Sequence, residues 1–207
     1  MTCGHAADRP CEQRRHGVRL PTAWRKAFGF FSLLILGTGL FFVTPAMADP
    51  SALEDAVKAT YLYKFTPFIQ WPDSAFAGPT ASFAICVVGD DALADMVGQA
   101  LAGQHYGMRS MVVRKLSTPD TGCQVLYVPG NDKTAVIAAM AVAQGKPILT
   151  VTDFTPDLAN AHGLVVFIND AGHVRFDIDG AAASQVGLTI SSKLLSLSRS
   201  AIPRGGQ

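Results

Sequence analysis

The sequence predicts a single α/β domain with a mixed, mostly parallel sheet, helices on both faces of the sheet, and a β-hairpin near the C-terminal end. Apolar runs without charged residues, at 83–88, 123–128 and 147–152, have the length and composition of buried strands. Helical patterns at 92–101 and 133–144 lie between these runs. Strands that alternate with helices are typical of a parallel sheet covered on both faces.

The stretch GLVVFINDAGHVRFDI near the C-terminal end predicts the hairpin. It contains two apolar runs around the turn-forming residues Asn169, Asp170, Ala171 and Gly172. Residues of this kind between two apolar runs are a hairpin signal.

An aromatic helix is predicted at the start of the domain. Ser51 and Glu54 fit a capping box, in which each residue satisfies a backbone N–H near the other. Pro67 is expected to kink or interrupt the helix about one turn before Trp71 and Pro72 stop it. The residues at helical spacing are Leu53, Val57, Tyr61, Phe65 and Phe68. This face serves either core packing or partner binding.

The helix predicted at 133–144 has Asn131 and Asp132 as N-cap candidates. The other predicted elements are, in chain order, a strand at 110–116, a helical turn near 156–160, helical pieces at 181–186 and about 192–198, and a disordered tail at 202–207.

The first 48 residues have the pattern of a secretory signal peptide. Residues 1–26 are rich in arginine, residues 28–43 are apolar and uncharged, and an Ala-Met-Ala cleavage site ends at Ala48. Cleavage there leaves a domain of residues 49–207, with an ordered core at about 51–199. An uncleaved inner-membrane anchor is the alternative, although this apolar run is short for a span of about 20 residues.

The predicted leader changes the charge of the protein. It holds 6 of the 17 Lys and Arg residues and 2 of the 16 Asp and Glu residues, which leaves 11 basic and 14 acidic residues in the mature domain. The mature domain therefore has a net charge near −3 and no basic stripe. Binding to nucleic acid through phosphate contacts is not expected of such a domain.

Cysteine usage is also simpler after cleavage. Cys3 and Cys11 leave with the leader, so Cys86 and Cys123 are the two thiols of the mature domain. An even pair in an exported chain indicates one disulfide. Two free, buried cysteines are the alternative.

The turn Gly89-Asp90-Asp91 follows the first apolar strand, where ligands bind in α/β sheets. Two interpretations remain open. The carboxylates form part of a cation or ligand site, or they cap and begin the following helix. The turn lacks the further glycines of a dinucleotide-binding loop and the Gly-Lys-Ser/Thr of a P-loop.

Motifs for catalysis or metal binding do not occur in the mature sequence. His105, His162 and His173 have no i, i+4 partner, and there is no G-x-S-x-G sequence. Ser192 and Lys193 are adjacent, but they are more simply the start of a helix. The residues alone favour a protein that is not an enzyme and that needs no metal or cofactor.

The order of these pieces resembles the YfiR family of exported bacterial regulators. The matching stretches are AVKATYLYKFTPFIQWP, ICVVGDD, CQVLYV, ILTVTDF, HGLVVFINDAGHVRFDI and AAASQVGLTISSKLLSLS, and the resemblance covers nearly all of residues 54–198. The resemblance implies a non-enzymatic periplasmic α/β domain that tends to dimerise. It also implies a disulfide between Cys86 and Cys123. The second cysteine pair of some members is absent, so redox switching through that pair is not expected.

The same resemblance implies a regulatory role. Such proteins restrain an inner-membrane diguanylate cyclase through its periplasmic sensor region, which lowers cyclic-di-GMP and disfavours biofilm. An OmpA-like outer-membrane lipoprotein sequesters them and relieves the restraint. The alternative function is a periplasmic small-molecule receptor with a cleft beside Gly89 to Asp91, and an exported enzyme with an unrecognised site is a third possibility.

Leucines of the C-terminal helical piece are candidate partner contacts. At 100° per residue, Leu194 and Leu197 lie within about 60° of each other, whereas Leu195 and Leu197 are about 160° apart. One face must serve the core, so Leu195 or Leu197 is expected to lie partly outside it. The candidate partner-binding residues are Leu194, Leu195, Leu197, Tyr61 and Phe65.

Overall fold

A computed structural model describes residues 49–158 and 161–199. The predicted leader at 1–48 and the predicted disordered tail at 202–207 lie outside the described residues, as does the end of the helical turn predicted near 156–160. Within the described part, residues 156–158 form a short 3-10 turn.

The helices are short and separated by strands. They are α1 (Pro50–Lys64), α2 (Asp91–Leu101), α3 (Lys133–Ala143), α4 (Gly180–Gln185) and α5 (Ser192–Leu195). The strands are β1 (Ile69–Gln70), β2 (Phe83–Val88), β3 (His105–Tyr106), β4 (Arg109–Leu116), β5 (Val125–Val128), β6 (Leu149–Asp153), β7 (Val165–Asp170), β8 (His173–Ile178) and β9 (Thr189–Ile190).

Seven strands form one mixed sheet in the order β3-β4-β2-β5-β6-β7-β8. The five central strands are parallel. The two outermost strands, β3 and β8, pair antiparallel with their neighbours. The predicted α/β class, the mostly parallel sheet and the C-terminal hairpin are confirmed. Strands β1 and β9 form a separate antiparallel pair.

The alternation of side chains along β2 separates two cores. Phe83, Ile85 and Val87 face one core, which also contains the buried residues of α1 and α2. Ala84, Cys86 and Val88 face the other, which contains the buried residues of α3. All six side chains are buried because both faces of a parallel sheet are covered by helices. Helices therefore lie on both faces, as predicted.

The start of α1 differs from the predicted capping box. The N-cap is Asp49, whose Oδ1 accepts a hydrogen bond from the backbone N–H of Ser51 at 3.0 Å. Glu54 instead contacts Lys58. The prediction that Ser51 caps the helix is wrong. Leu53, predicted on the apolar face, is 66 % exposed.

The end of α1 follows the prediction made from Pro67. The α-helix stops at Lys64, and residues 66–68, which include Pro67, form a 3-10 turn. Phe65 caps the end of the helix, and its N–H donates to the carbonyl of Tyr61. The proline lacks the N–H that would continue the helical ladder, so the chain changes direction here.

The hairpin turn is tighter than the four turn residues suggest. Asp170 pairs with His173, which leaves Ala171 and Gly172 as a two-residue loop. Both loop residues have positive φ, at 51° and 82°. Positive φ at both central residues is the requirement of a type I′ turn, whose twist matches that of the flanking strands, and glycine adopts it without strain.

Candidate functional site

Cys86 and Cys123 form a disulfide, with their Cα atoms 5.8 Å apart. Cys86 lies on β2, and Cys123 lies just before β5, which pairs with β2. The separation is within the range that a disulfide spans. Both cysteines are buried in the core under α3. The bridge therefore joins neighbouring strands from inside the domain.

The Gly89-Asp90-Asp91 turn begins a helix. Oδ1 of Asp90 accepts a hydrogen bond from the backbone N–H of Leu93 at 2.9 Å, which makes Asp90 the N-cap of α2. Gly89 has a φ of 70°, a conformation that favours glycine. In the described part of the chain, no group of three or more His, Cys, Asp or Glu side chains is arranged to hold a metal ion. The geometry favours the capping interpretation.

Replacing Asp90 by Ala should cost about 1 kcal/mol of unfolding free energy, because the cap bond to Leu93 is lost. Asp91→Ala is the matched control. Asp91 is exposed in the first turn and makes no cap bond, so its carboxylate contributes through the helix dipole, worth about 0.3–1 kcal/mol, and through the nearby charge of Lys115. Urea denaturation of both variants measures the difference. Equal losses would show that Asp90 does not act as the cap.

A polar cleft of ≈ 590 Å³ lies beside Gly89. It is at the carboxyl ends of the neighbouring strands β2 and β5. The chain goes from β2 through α2 toward β4 on one side and from β5 through α3 to β6 on the other. Ser117, Asn131 and Lys133 contribute to its walls. The N-terminus of α3 also faces it, but Oδ1 of Asp132 already accepts a hydrogen bond from the N–H of Ala135 at 2.9 Å.

The structure places two of the five candidate partner-binding residues in the core. Phe65 and Leu194 are 1 % and 3 % exposed. Leu195 is half-buried, and its side chain lies near the Cα of Gly180 at the start of α4. Leu197 is 62 % exposed. The expectation that Leu195 or Leu197 lies partly outside the core is met most clearly by Leu197.

Tyr61, the fifth candidate, belongs to an aromatic cluster with Phe65, Phe167 and Phe176. Its ring centroid is 5.3 Å from that of Phe176 and 5.7 Å from that of Phe65. Phe167 and Phe176 face each other across the hairpin. The cluster attaches α1 to the hairpin, while one edge of the half-buried Tyr61 lines a surface groove.

Leu194→Asp should be strongly destabilising, whereas Leu197→Asp should leave stability almost unchanged. A carboxylate at position 194 would be buried without a partner, so the domain is expected to unfold or fail to accumulate. At position 197 the change should stay within about 0.5 kcal/mol, as at other exposed positions. Expression yield and urea denaturation test this pair. A folded Leu194→Asp protein would contradict the described packing.

A partly buried polar network lies where β5 and β6 end against α1, with Lys58 and Tyr127 as its buried members. Nζ of Lys58 is 2.8 Å from Oε1 of Glu54 and 3.1 Å from Oδ1 of Asp153. The second contact is an ion pair without hydrogen-bond alignment. Tyr127 donates its hydroxyl to Oδ2 of Asp153 at 2.8 Å, and Asn169 donates its amide to Oε2 of Glu54 at 2.7 Å.

The charges of this network stabilise one another. Burial opposes the charge on Lys58, but its hydrogen bond with Glu54 and the nearby Asp153 outweigh burial and raise its pKa. The hydrogen bond from Lys58 lowers the pKa of Glu54. Burial, and then the charge of Asp153, raise the pKa of Tyr127 far above its usual value. Tyr127 therefore stays protonated as a donor, and the network joins α1 to the sheet.

Sequence reasoning missed this network. The i, i+4 spacing of Glu54 and Lys58 indicates an ion pair, but the capping-box pattern predicts a different role for Glu54. Asp153 ends an apolar strand, which is a weak sign of a polar group at the carboxyl edge of the sheet. Nothing in the sequence places Lys58 against Asp153.

A family profile shows which known proteins the chain is similar to. The profile of the YfiR/HmsC-like family matches residues 55–199, which is nearly the whole described domain. No curated protein matches the chain. None of the helices in the described ranges has the length and apolar character needed to cross a membrane. The YfiR-like family is periplasmic and is regulatory rather than catalytic. The chain belongs to the YfiR/HmsC-like family.

Proposed function

We propose that this protein is an exported regulator that restrains a periplasm-facing inner-membrane diguanylate cyclase and so lowers cyclic-di-GMP. The observation that carries this proposal is the family match over residues 55–199. The YfiR-like family is known for regulating diguanylate cyclases in the periplasm. The signal-peptide pattern of residues 1–48 supports the same compartment.

In this proposal the protein acts through the surfaces by which it contacts other proteins. The partners are the periplasmic sensor region of the cyclase, an OmpA-like outer-membrane lipoprotein that relieves the restraint, and a second copy of the chain in a homodimer. Leu197 is a candidate contact because it is a large apolar side chain left 62 % exposed on a terminal element. Leu195, half-buried beside it, supports that surface.

Deleting the gene in its native bacterium should raise cyclic-di-GMP, measured by mass spectrometry of cell extracts. Expression of residues 1–207 should restore the low level. Expression of residues 49–207 alone should not, because that chain stays in the cytoplasm, away from the sensor region. An unchanged cyclic-di-GMP level after deletion, or full rescue by the cytoplasmic chain, would refute the proposal.

Leu197→Asp should accumulate as a folded protein and fail to restore the low cyclic-di-GMP level. Ile137→Asp is the matched control, since Ile137 is 50 % exposed but lies on α3, which covers the opposite face of the sheet. Equal rescue by both variants would place the contact elsewhere. The exposed part of α1 near Tyr61 would then be the next candidate.

A small-molecule receptor is the second candidate function. The observation that favours it is the cleft beside Gly89, at a position in the sheet where α/β proteins bind ligands. Its volume of ≈ 590 Å³ is within the range of about 300–1,000 Å³ for such sites. If this cleft carries the function, Lys133→Ala should abolish the cyclic-di-GMP response while Leu197→Asp leaves it intact.

A further inference from the structure

Strand β8 forms one edge of the seven-stranded sheet. It pairs antiparallel with β7. The paired residues run from Asp170 and His173, next to the turn, to Val165 and Ile178 at the other end. An edge strand carries backbone N–H and C=O groups that point away from its neighbour, and these groups can pair with another chain. Short edges, charges or a covering segment usually limit such pairing.

One hydrogen bond shows which residues of β8 point outward. The N–H of Arg199 donates to the carbonyl of Phe176 at 2.9 Å, so this carbonyl faces away from β7. Alternate residues of an antiparallel strand turn their backbone groups to opposite sides. Val174 therefore also presents its N–H and C=O outward. Within the described ranges, no residue makes a backbone hydrogen bond to Val174 like the one from Arg199 to Phe176.

A groove of ≈ 660 Å³ lies beside this part of β8, and its walls combine apolar side chains with polar ones such as Glu54 and His173. Helix α1 contributes Leu53, Val57 and Tyr61, and β8 contributes Val174. Leu53 is 66 % exposed, although the rest of the helix face packs on the sheet. A strand added along Val174 would direct every second side chain into this groove.

Arg175 gives the edge a charge preference. It is exposed, and its cross-strand neighbour is Ile168. The ion pairs within the described part of the chain do not include it. His173, in contrast, lies opposite Asp170. A residue opposite Arg175 in an added strand would lie on the same face of the sheet, where an acidic side chain would complement it.

We propose that the outward edge of β8 at Val174, together with the groove beside it, binds an extended segment of a partner protein by strand addition. The segment has apolar side chains at alternate positions and an acidic residue opposite Arg175. In this mode the backbone hydrogen bonds supply affinity, and the pockets for alternate side chains supply specificity.

A second copy of the chain fits this edge less well. Arg199 covers the edge at Phe176, so self-pairing of two β8 strands would have to centre on Val174. That register places Arg175 opposite His173 of the second copy and supplies no carboxylate. Charge complementarity therefore favours a different, acidic strand.

The test uses the mature domain and a fluorescent, end-blocked peptide of sequence Ser-Val-Asp-Val-Thr-Val-Ser, followed by fluorescence anisotropy. Saturable binding is expected. Two further peptides carry N-methyl groups on alternate residues. In one peptide the N-methyl groups replace the N–H groups that face β8, and in the other they replace the N–H groups that face away from it. Only one of the two sets should weaken binding, by about fivefold or more.

Three protein variants locate the site. Val174→Pro removes the outward N–H without removing a bond to β7, and Leu53→Asp places a charge in the groove. Both should abolish saturable binding, whereas the control variant Ile137→Asp, at an exposed position on α3, should not. Arg175→Glu should reverse the preference, so that the peptide with Lys in place of Asp binds more tightly than the original.

The outcomes are decisive even if one variant misfolds. No saturable binding by the unmodified domain would overturn the proposal, as would equal effects of both N-methyl sets. Binding that survives Leu53→Asp and Arg175→Glu would place the peptide elsewhere. A dimer that Val174→Pro dissociates, without peptide binding, would assign the edge to a second copy and also overturn the proposal.

Discussion

Replacing Cys86 and Cys123 together by Ala should lower the free energy of unfolding of the domain at residues 49–207 by about 4 kcal/mol. The bridge closes a loop of 37 positions, and the chain-entropy relation gives about 4 kcal/mol for a loop of that length. This is a large part of the roughly 5–15 kcal/mol of a typical domain. Urea denaturation of the oxidised wild type and the variant measures the difference.

Treatment with a reductant provides the control for this prediction, because the bridge is buried in the folded protein. Because both sulfur atoms belong to buried residues, reductant should act only on the unfolded chain. Dithiothreitol should therefore lower the urea midpoint of the wild type and leave that of Cys86→Ala/Cys123→Ala unchanged. Thiol titration in denaturant without reductant should find no free thiol. Two reactive thiols, or a loss below about 1 kcal/mol, would contradict a stabilising role for the bridge.

The buried strands could be predicted because the local signal and the tertiary environment agree. Strand β2 occurs at the predicted residues, 83–88, since both of its faces are covered and its run of apolar residues is unbroken. Strand β5 starts at Val125, two residues later than predicted, and the side chain of the preceding residue, Gln124, bonds to other parts of the backbone. The side chain of Gln124 accepts from the N–H of Ala84 at 2.7 Å and donates to the carbonyl of Ala75 at 2.6 Å.

Features that depend on distant residues could not be predicted. Strands β1 and β9 have two residues each, and Ile69 pairs with Ile190 far along the chain. Such short pairs leave no periodic pattern in the sequence. The prediction of a capping box was wrong for a similar reason. Glu54 is held by Lys58 and by Asn169 from the hairpin, and these contacts displace the local cap.

The exposure of the C-terminal leucines could be predicted only in part. Helical spacing puts Leu194 and Leu197 on the same side, within about 60° of each other, but their exposure differs because it depends on where the helix ends. Helix α5 stops at Leu195, and Leu197 lies beyond it with 62 % of its surface exposed. The sequence also gave no sign that Leu53 would lie outside the core, because its spacing matches that of the buried face.

Replacing Lys58 by Met should cost about 3 kcal/mol at neutral pH. Methionine keeps the apolar stem and removes the charge, which leaves Glu54 and Asp153 without their shared cation. Breaking a buried pair costs about 3–5 kcal/mol, and the lower end applies because both carboxylates keep some exposure. Lys64→Met, exposed at the end of the same helix, should stay within about 0.5 kcal/mol.

The pH dependence of this loss separates the ionic contribution from packing. The hydrogen bond from Lys58 lowers the pKa of Glu54 below 4.5, so its stabilisation is present at neutral pH and is lost as the pH falls through that lowered pKa. The raised pKa of Lys58 keeps its own contribution present up to its ordinary value of 10.5. The difference between wild type and Lys58→Met should therefore be largest between about pH 5 and 10 and narrow below about pH 4. A difference that stays constant down to about pH 3 would mean that Lys58 stabilises the domain through its apolar stem rather than its charge.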